Sequence, residues 1–384
     1  YGGLKSHGLR AFAGNFSYEE LQRAVALCHK NQKKFYLTLN SYPFDSDLED
    51  FLSTAKQGYQ AGVDAAIVSD LGAFSMLREK LPALPLHVST QANTLNTPAA
   101  ICWHQMGAQR VIVAREMNLA QIGDLCKSVP PTLEIEAFVH GAMCMAYSGR
   151  CMLSNAMIHR GGNQGACAQP CRWQYAVMEM QRPGEYLPVY EDDLGTSIFS
   201  AYDLNAMALL PRLVESGLGS LKIEGRMKTE YYVSTVVGAY RRGLDALSLG
   251  ETEFEKILPE LTEELEKASH RPSNTGFYEE KPTAGAVGMI QTREYVGRIL
   301  ENTSAGVKTP VLLKNRFYVK DSLEVLTPQG SFSYQPEQIW LEKTGETINT
   351  HSIAGDILLL EFPFPVAKGD ILRGPTRNHS KVPQ

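Results

Sequence analysis

Through the first 250 residues, short and nearly uninterrupted apolar runs alternate with stretches in which apolar residues recur every three or four positions. The runs Phe35–Asn40, Ala65–Asp70, Leu86–Gln91, Arg110–Arg115, Glu134–His140 and Ser220–Glu224 predict β-strands. The stretches Leu48–Gly58, Gly72–Lys80, Thr97–Met106 and Leu119–Lys127 predict helices, and another over Thr229–Leu249 follows the last strand. Strands alternating with helices imply parallel βα units, and continuous apolar runs suit strands covered on both faces. A doubly wound sheet and a (β/α) barrel both fit this order. No G-x-G-x-x-G follows an early strand, which leaves a dinucleotide-binding sheet without its phosphate turn. The strand ends favour the barrel. They carry Asn40, Asp70, Gln91 with Asn93, Arg115 with Glu116, His140, and Glu224 with Arg226. A barrel gathers such ends on one face, where active sites are built. Tyr1–Leu4 reads as the tail of a seventh strand, and an eighth is expected ahead of Tyr1. The expected fold class is therefore α/β, a TIM-like (β/α) barrel over residues 1–250 whose first βα unit is missing.

After Leu249 the texture changes. Glu251–Lys281 holds nine acidic and four basic residues, with Pro259, Pro272 and Pro282 as punctuation. It reads as a charged linker over residues 251–284, with an exposed helix from Leu258 to His270. From Gly285 the pattern becomes short alternating runs separated by Gly and Pro: Tyr295–Leu300, Val311–Asn315, Leu323–Thr327 and Ile357–Phe362. This predicts a small C-terminal antiparallel β-barrel domain over residues 285–384. Val319–Leu323 and Ala367–Leu372 look like two similar turn-to-strand corners.

Composition adds limits. The 384 residues are 43% hydrophobic and 21% charged, an ordinary globular balance. No apolar run reaches the roughly 18 residues that span a bilayer, so no membrane partner is expected. The net charge of −5 matches the excess in the acidic linker, so the rest of the chain is balanced. Between Cys144 and Arg182 stand four Arg and one Glu, a local excess of positive charge that can meet a polyanion. Seven Cys in a long chain argue against a disulfide framework and for a reducing, cytoplasmic setting.

Four of the seven Cys crowd into one loop, Cys144, Cys151, Cys167 and Cys171, in the pattern C-x6-C-x15-C-x3-C. Four thiolates can wrap an iron–sulfur cluster or a zinc ion. Only one gap is short, and it has three residues, whereas zinc knuckles use two at both ends. A cluster is therefore favoured over zinc, with a loop that binds no metal as the plain alternative. The glycines of the segment let backbone amides approach sulfur, and Arg150 and Arg172 would offset thiolate charge. Cys28, Cys102 and Cys126 fall in helical patterns and read as buried small hydrophobes.

The segments E-A-F-V-H-G-A-M-C-M-A-Y-S-G-R-C-M-L-S, N-Q-G-A-C-A-Q-P-C-R-W-Q-Y, Y-L-P-V-Y-E-D-D and S-L-K-I-E-G-R-M-K-T-E-Y-Y resemble the signature of the U32 family, historically called collagenase-like peptidases. Within it they are most similar to the tRNA-hydroxylation branch. The resemblance covers nearly the whole chain. It implies a tRNA-modifying hydroxylase that converts wobble uridine to 5-hydroxyuridine. It also implies an iron–sulfur cluster, expected as [4Fe–4S], on Cys144, Cys151, Cys167 and Cys171. Prephenate, a small dicarboxylate, is the implied hydroxyl donor and co-substrate.

In that reading His140, Glu116 and Glu224 are the candidate catalytic residues. Gln91, Asn93, Arg115, Arg150, Arg172, Lys222 and Arg226 are the candidates for holding a base edge, phosphates or a carboxylate. Tyr147, Trp173 and Tyr175 offer stacking surfaces for an unstacked anticodon base, and Arg160 a further phosphate contact. Two other readings stand beside it. A U32 peptidase has little support in the residues, since neither H-E-x-x-H nor G-x-S-x-G occurs. A non-catalytic RNA-binding protein with a structural metal site is the other. The basic stretch Lys368, Arg373, Arg377 and Lys381 is expected to hold the tRNA body.

Overall fold

A computed structural model of the chain describes residues 1–8, 14–143, 154, 158–160, 167, 168, 170, 190–192, 195–197, 202–279 and 289–377. Two compact units emerge, one of Tyr1–Met227 with Pro272–Val287, the other of Lys228–Arg271 with Gly288–Gln384.

In the first unit, β1 (Tyr36–Leu39), β2 (Ala65–Val68), β3 (Leu86–Val88), β4 (Ala108–Ile112) and β5 (Glu134–Ala142) lie parallel, side by side in chain order. The last residues of β5 pair antiparallel with β6 (Asp203–Asn205), and its body pairs parallel with β7 (Ser220–Ile223). At the opposite edge Gly2 pairs parallel with Leu37, so the Tyr1–Leu4 segment does add to the sheet. The connecting helices are α1 (Tyr18–Lys30), α2 (Leu48–Gln60), α3 (Leu71–Lys80), α4 (Thr97–Gln105), α5 (Leu119–Ser128) and α6 (Leu210–Glu215). Side-chain caps start several of them. Ser17 and Glu20 form a capping box on α1, and Asp70, Asn96 and Asn118 accept the first free N–H groups of α3, α4 and α5.

A single contact reveals the curvature of this sheet. Tyr1 Oη, at one edge, donates to Glu224 Oε2 at the end of β7, at the other edge, over 2.8 Å. Laid flat, six strand spacings of about 4.8 Å would separate those edges by roughly 29 Å. The sheet is rolled up, and the expected TIM-like (β/α) barrel is the architecture of this unit.

The second unit opens with two long helices, α7 (Glu230–Leu249) and α8 (Glu251–Leu265), and continues as an antiparallel sheet. Its strands are β8 (Arg293–Ile299), β9 (Lys308–Leu313), β10 (Leu323–Thr327), β11 (Gly330–Tyr334), β12 (Ile339–Leu341), β13 (Ile357–Glu361) and β14 (Ile371–Pro375), in the order β11-β10-β14-β8-β9-β13-β12. Their inward residues, Val296, Val311, Val325, Leu358 and Leu372 among them, make one apolar core. The two corners anticipated from sequence are alike in detail. Asp321 Oδ2 accepts from Tyr318 N at 2.7 Å and Asp370 Oδ2 from Ala367 N at 2.8 Å. The residue before each Asp has positive φ, Lys320 at 71° and Gly369 at 101°.

Three expectations need correction. The acidic segment forms helix Glu251–Leu265, not an exposed helix from Leu258 to His270. It runs through Pro259 and buries Phe254, Leu261, Glu264 and Leu265. Its reading as a linker fails for a non-local reason: the fully buried guanidinium of Arg373 bonds Glu264 at 2.5 and 2.8 Å and Glu324 at 2.8 Å. Lys267 and Arg293 complete this ion cluster on Glu324. The helices therefore group with the β domain, and the units divide at Met227 rather than near residue 250. The same cluster removes Arg373 from any RNA surface. Lys381 lies outside the described residues. Finally, Cys102 is exposed and Cys28 and Cys126 only half-buried, because the helices turn other residues inward. Among the described residues no helix is long and apolar enough to cross a membrane.

Candidate active site at the carboxyl end of the barrel

Along β5 the residues Glu134, Glu136 and Phe138 share one face, and the register with β7 shifts between Phe138 and His140. On β7, Ser220 and Lys222 do the same, and Glu224 follows the strand. Near the amino ends of the strands these faces meet in a closed ion network. Glu136 lies 3.1 Å from Lys222 Nζ and accepts from Arg110 at 2.9 Å and Ser220 at 2.8 Å, while Arg110 also bonds Glu134 at 2.7 Å. Burial alone would raise the Glu136 carboxyl's pKa. Lys222, Arg110 and the Ser220 hydroxyl outweigh burial and hold it below the usual carboxylate value. Lys222 thus sits inside the barrel, its ammonium also 4.4 Å from the centre of the Tyr1 ring.

The carboxyl end is different in kind. Ser41 Oγ after β1, Asn93 Oδ1 and Thr94 Oγ1 after β3, and Arg115 Nε after β4 are all buried and have no hydrogen-bond partner. Arg115 is anchored by its other nitrogens: Nη1 donates to Ala142 O at 3.1 Å, and the guanidinium lies 4.0 Å from the centre of the Phe138 ring. Asn93 has φ of 56°, the left-handed region that Asn tolerates, and ends the short 3-10 turn Thr90–Ala92. Gln91 is half-buried in that turn, and its carbonyl accepts from Tyr42 Oη. Glu116 is half-buried next to Arg115. Buried polar atoms that meet nothing in the protein are arranged for something that arrives.

His140 of β5 pairs in register with Ile223 of β7, and Glu224 follows directly after that strand. His140 is 5% exposed, and its carbonyl accepts from Glu224 N at 2.9 Å. The Glu224 carboxylate accepts from Tyr1 Oη and, at 3.1 Å, from Arg226 N. Gly141, with φ of 115°, permits this approach, since a Cβ there would stand 2.4 Å from Glu224 O. Arg226 acts as a strut: Nη1 donates to Thr38 Oγ1 at 2.9 Å and Nη2 to Asn15 Oδ1, and Gly3 and Gly8 leave the space its guanidinium fills.

Of the four loop cysteines, Cys167 is half-buried, and Cys144, Cys151 and Cys171 lie outside the described residues, as do Arg150, Arg172, Tyr147, Trp173 and Tyr175. The parts of the loop that are described draw together: Ala168 N donates to the buried Ser154 Oγ at 3.2 Å. That bond joins the stretch beside Cys167 to the stretch three residues past Cys151. Met143, buried, leads from β5 into Cys144. The participation of Ser41 and Thr94 carries no sequence signal, since Ser and Thr are common after strands and only their unmet burial marks them.

A model of peptidase family U32 matches residues 1–287, and a model of the peptidase family U32 C-terminal domain matches residues 291–373. The chain belongs to peptidase family U32. The U32 chain is 36% identical over 386 residues to tRNA hydroxylation protein P of Escherichia coli, covering 88% of this chain and 83% of that one. It is 35% identical over 354 residues to tRNA hydroxylation protein P1 of Bacillus subtilis, covering 90% and 82%. A collagenase of Porphyromonas gingivalis is 31% identical over 288 residues, covering 72% and 67%. The U32 relatives thus carry names of two kinds, RNA modification and proteolysis.

Proposed function

We propose that this chain is an RNA-modifying enzyme that hydroxylates the wobble uridine of tRNA at C5, giving 5-hydroxyuridine. The unmet polar atoms at the carboxyl end of the barrel carry the reading. Ser41, Asn93 and Thr94 are neutral donors and acceptors suited to the edge of a uracil, and Arg115 Nε to a carboxylate such as that of prephenate. An anticodon base is already single-stranded, so bringing it to these atoms costs little. His140 and Glu224, adjacent across two strands, are the groups able to hold or move a proton there. The names of the relatives from Escherichia coli and Bacillus subtilis support the same substrate class.

Cys144, Cys151, Cys167 and Cys171 would hold an iron–sulfur cluster, of the [4Fe–4S] type that the family resemblance implies. The donor set fits a soft metal, and the bond between Ala168 and Ser154 brings the flanks of Cys151 and Cys167 together. Bound there, the cluster supplies the redox capacity that no side chain has for putting oxygen on a pyrimidine ring.

The test is mass spectrometry of tRNA nucleosides from cells lacking the gene, then complemented with the wild type, Cys144→Ala or Thr94→Val. Loss of 5-hydroxyuridine, restored in full only by the wild type, is the expected result. Unchanged levels in the deletion strain, in a background with no redundant route, would overturn it. If the purified protein then cleaved gelatin, a peptidase would take its place.

A further inference from the structure

The barrel has a concavity at its amino end, the end opposite the candidate active site. It is a cavity of about 520 Å³ whose wall includes Lys34, Tyr36, His87, His104, Arg110 and Glu134. That volume suits a small molecule. Most of the polar wall is already engaged. Arg110 is taken up by Glu134 and Glu136. His104 holds Ala108 O through Nδ1 at 3.1 Å and Thr132 Oγ1 through Nε2 at 3.1 Å. Asp64 accepts from Phe35 N at 2.7 Å and meets His29 Nε2 at 3.0 Å.

Two groups are left over. His87, 5% exposed in the middle of β3, has Nδ1 buried without a hydrogen-bond partner. Its ring is fixed edge-on against Tyr36, centroids 4.8 Å apart, and Arg110 packs on that tyrosine at 5.0 Å. Lys34, exposed at the start of the same wall, makes no ion pair among the described residues. The Glu134 carboxylate on the wall is held by Arg110 and the Asp64 carboxylate accepts from Phe35 N and meets His29, which leaves Lys34 as the wall's unpaired charge. A buried nitrogen without a partner on a wall residue and an unpaired ammonium on the same wall match one ligand chemistry.

We propose that this cavity binds a small oxyanion, a carboxylate or a phosphate, which accepts a hydrogen bond from His87 Nδ1–H and is neutralised by Lys34. The site is distinct from the proposed hydroxylation site and does not depend on that reading.

The test uses the full chain labelled with ¹⁵N-histidine, with the His87 ring signal assigned by its absence in His87→Asn. Sodium phosphate and sodium malonate are titrated separately against sodium chloride at matched ionic strength. The expected result is a saturable shift of the His87 signal with at least one of the two. In Lys34→Glu, a change on the exposed rim that leaves the fold intact, the apparent Kd rises about tenfold or more. Response to phosphate alone identifies a phosphate-bearing ligand, and response to malonate alone a carboxylate. A His87 signal that neither anion moves beyond chloride, or that moves equally in Lys34→Glu, overturns the proposal.

Discussion

Inside the barrel, the ion network around Glu136 and the polar atoms at the carboxyl end use buried polarity in opposite ways. Near the amino ends of the strands, Glu136 is met by Lys222, Arg110 and Ser220, and each charge has its counterpart. At the carboxyl ends, Ser41, Asn93, Thr94 and Arg115 bring buried atoms that the protein leaves unmet. An ion network inside a barrel is no cheaper than an apolar core, since both charges lose their water. Its closure makes it costly to break. The unmet atoms already carry their desolvation cost, so removing them relieves the fold and harms only what binds there. The difference separates groups that hold the fold together from groups left for a ligand.

The sharpest way to break the comparison is Glu136→Gln. It strands Lys222 in the interior and leaves Arg110 with Glu134 alone, and urea unfolding should show a loss of about 3–5 kcal/mol. A loss under about 1 kcal/mol would mean that the network is solvated and the contrast false. Gly141→Ala comes next, because its Cβ would drive β5 from Glu224 at a positive φ; about 2–3 kcal/mol should be lost in the same assay.

Acid sharpens the comparison further. Burial, then the nearby Arg110 charge, lowers the His87 pKa to about 3. The unfolded chain takes up that proton below its ordinary value near 6.5 and the folded chain does not, so stability falls as pH falls through that window. The slope is about 1.4 kcal/mol per pH unit. Between pH 6 and 5, above the range of the Glu136 carboxyl, His87→Asn should lessen the slope by that amount. Glu136, with its lowered pKa, adds stability above the unfolded carboxylate range and loses it only at lower pH. The smallest effect on stability belongs to Ser41→Ala and Thr94→Val, within about 0.5 kcal/mol of the wild type. Their 5-hydroxyuridine yield should nevertheless fall about tenfold, the worth of one hydrogen bond. A large loss of stability with full yield would place these hydroxyls in the scaffold instead.

Much of this was legible in the order of residues. The alternation of apolar runs and helical spacing located β1–β5 and β7 and the helices between them, because each run is local and fully covered. The polar groups at the strand ends marked the face that holds the unmet atoms, although Asp70 proves to be a helix cap. What escaped depends on distance along the chain. Nothing near Glu264 announces that Arg373, 109 residues away, will bury its guanidinium there. Pro259 reads as a break, yet α8 runs through it because its apolar residues pack on either side. In the same way Glu134 and Glu136 stand in a strand counted as apolar. Their spacing of two was the available sign that both face the barrel axis.

The path of the chain has a consequence for the newborn protein. Tyr278 donates to Phe138 O, and Ser273–Asn274 extends the sheet beside β6, so the barrel recruits residues that follow the α7–α8 pair. A ribosome therefore releases both helices of the other unit before these last contributors to the first exist. The barrel stays unfinished during that interval, with the edge of β6 bare, and its completion falls late in synthesis rather than at the end of its own first 227 residues.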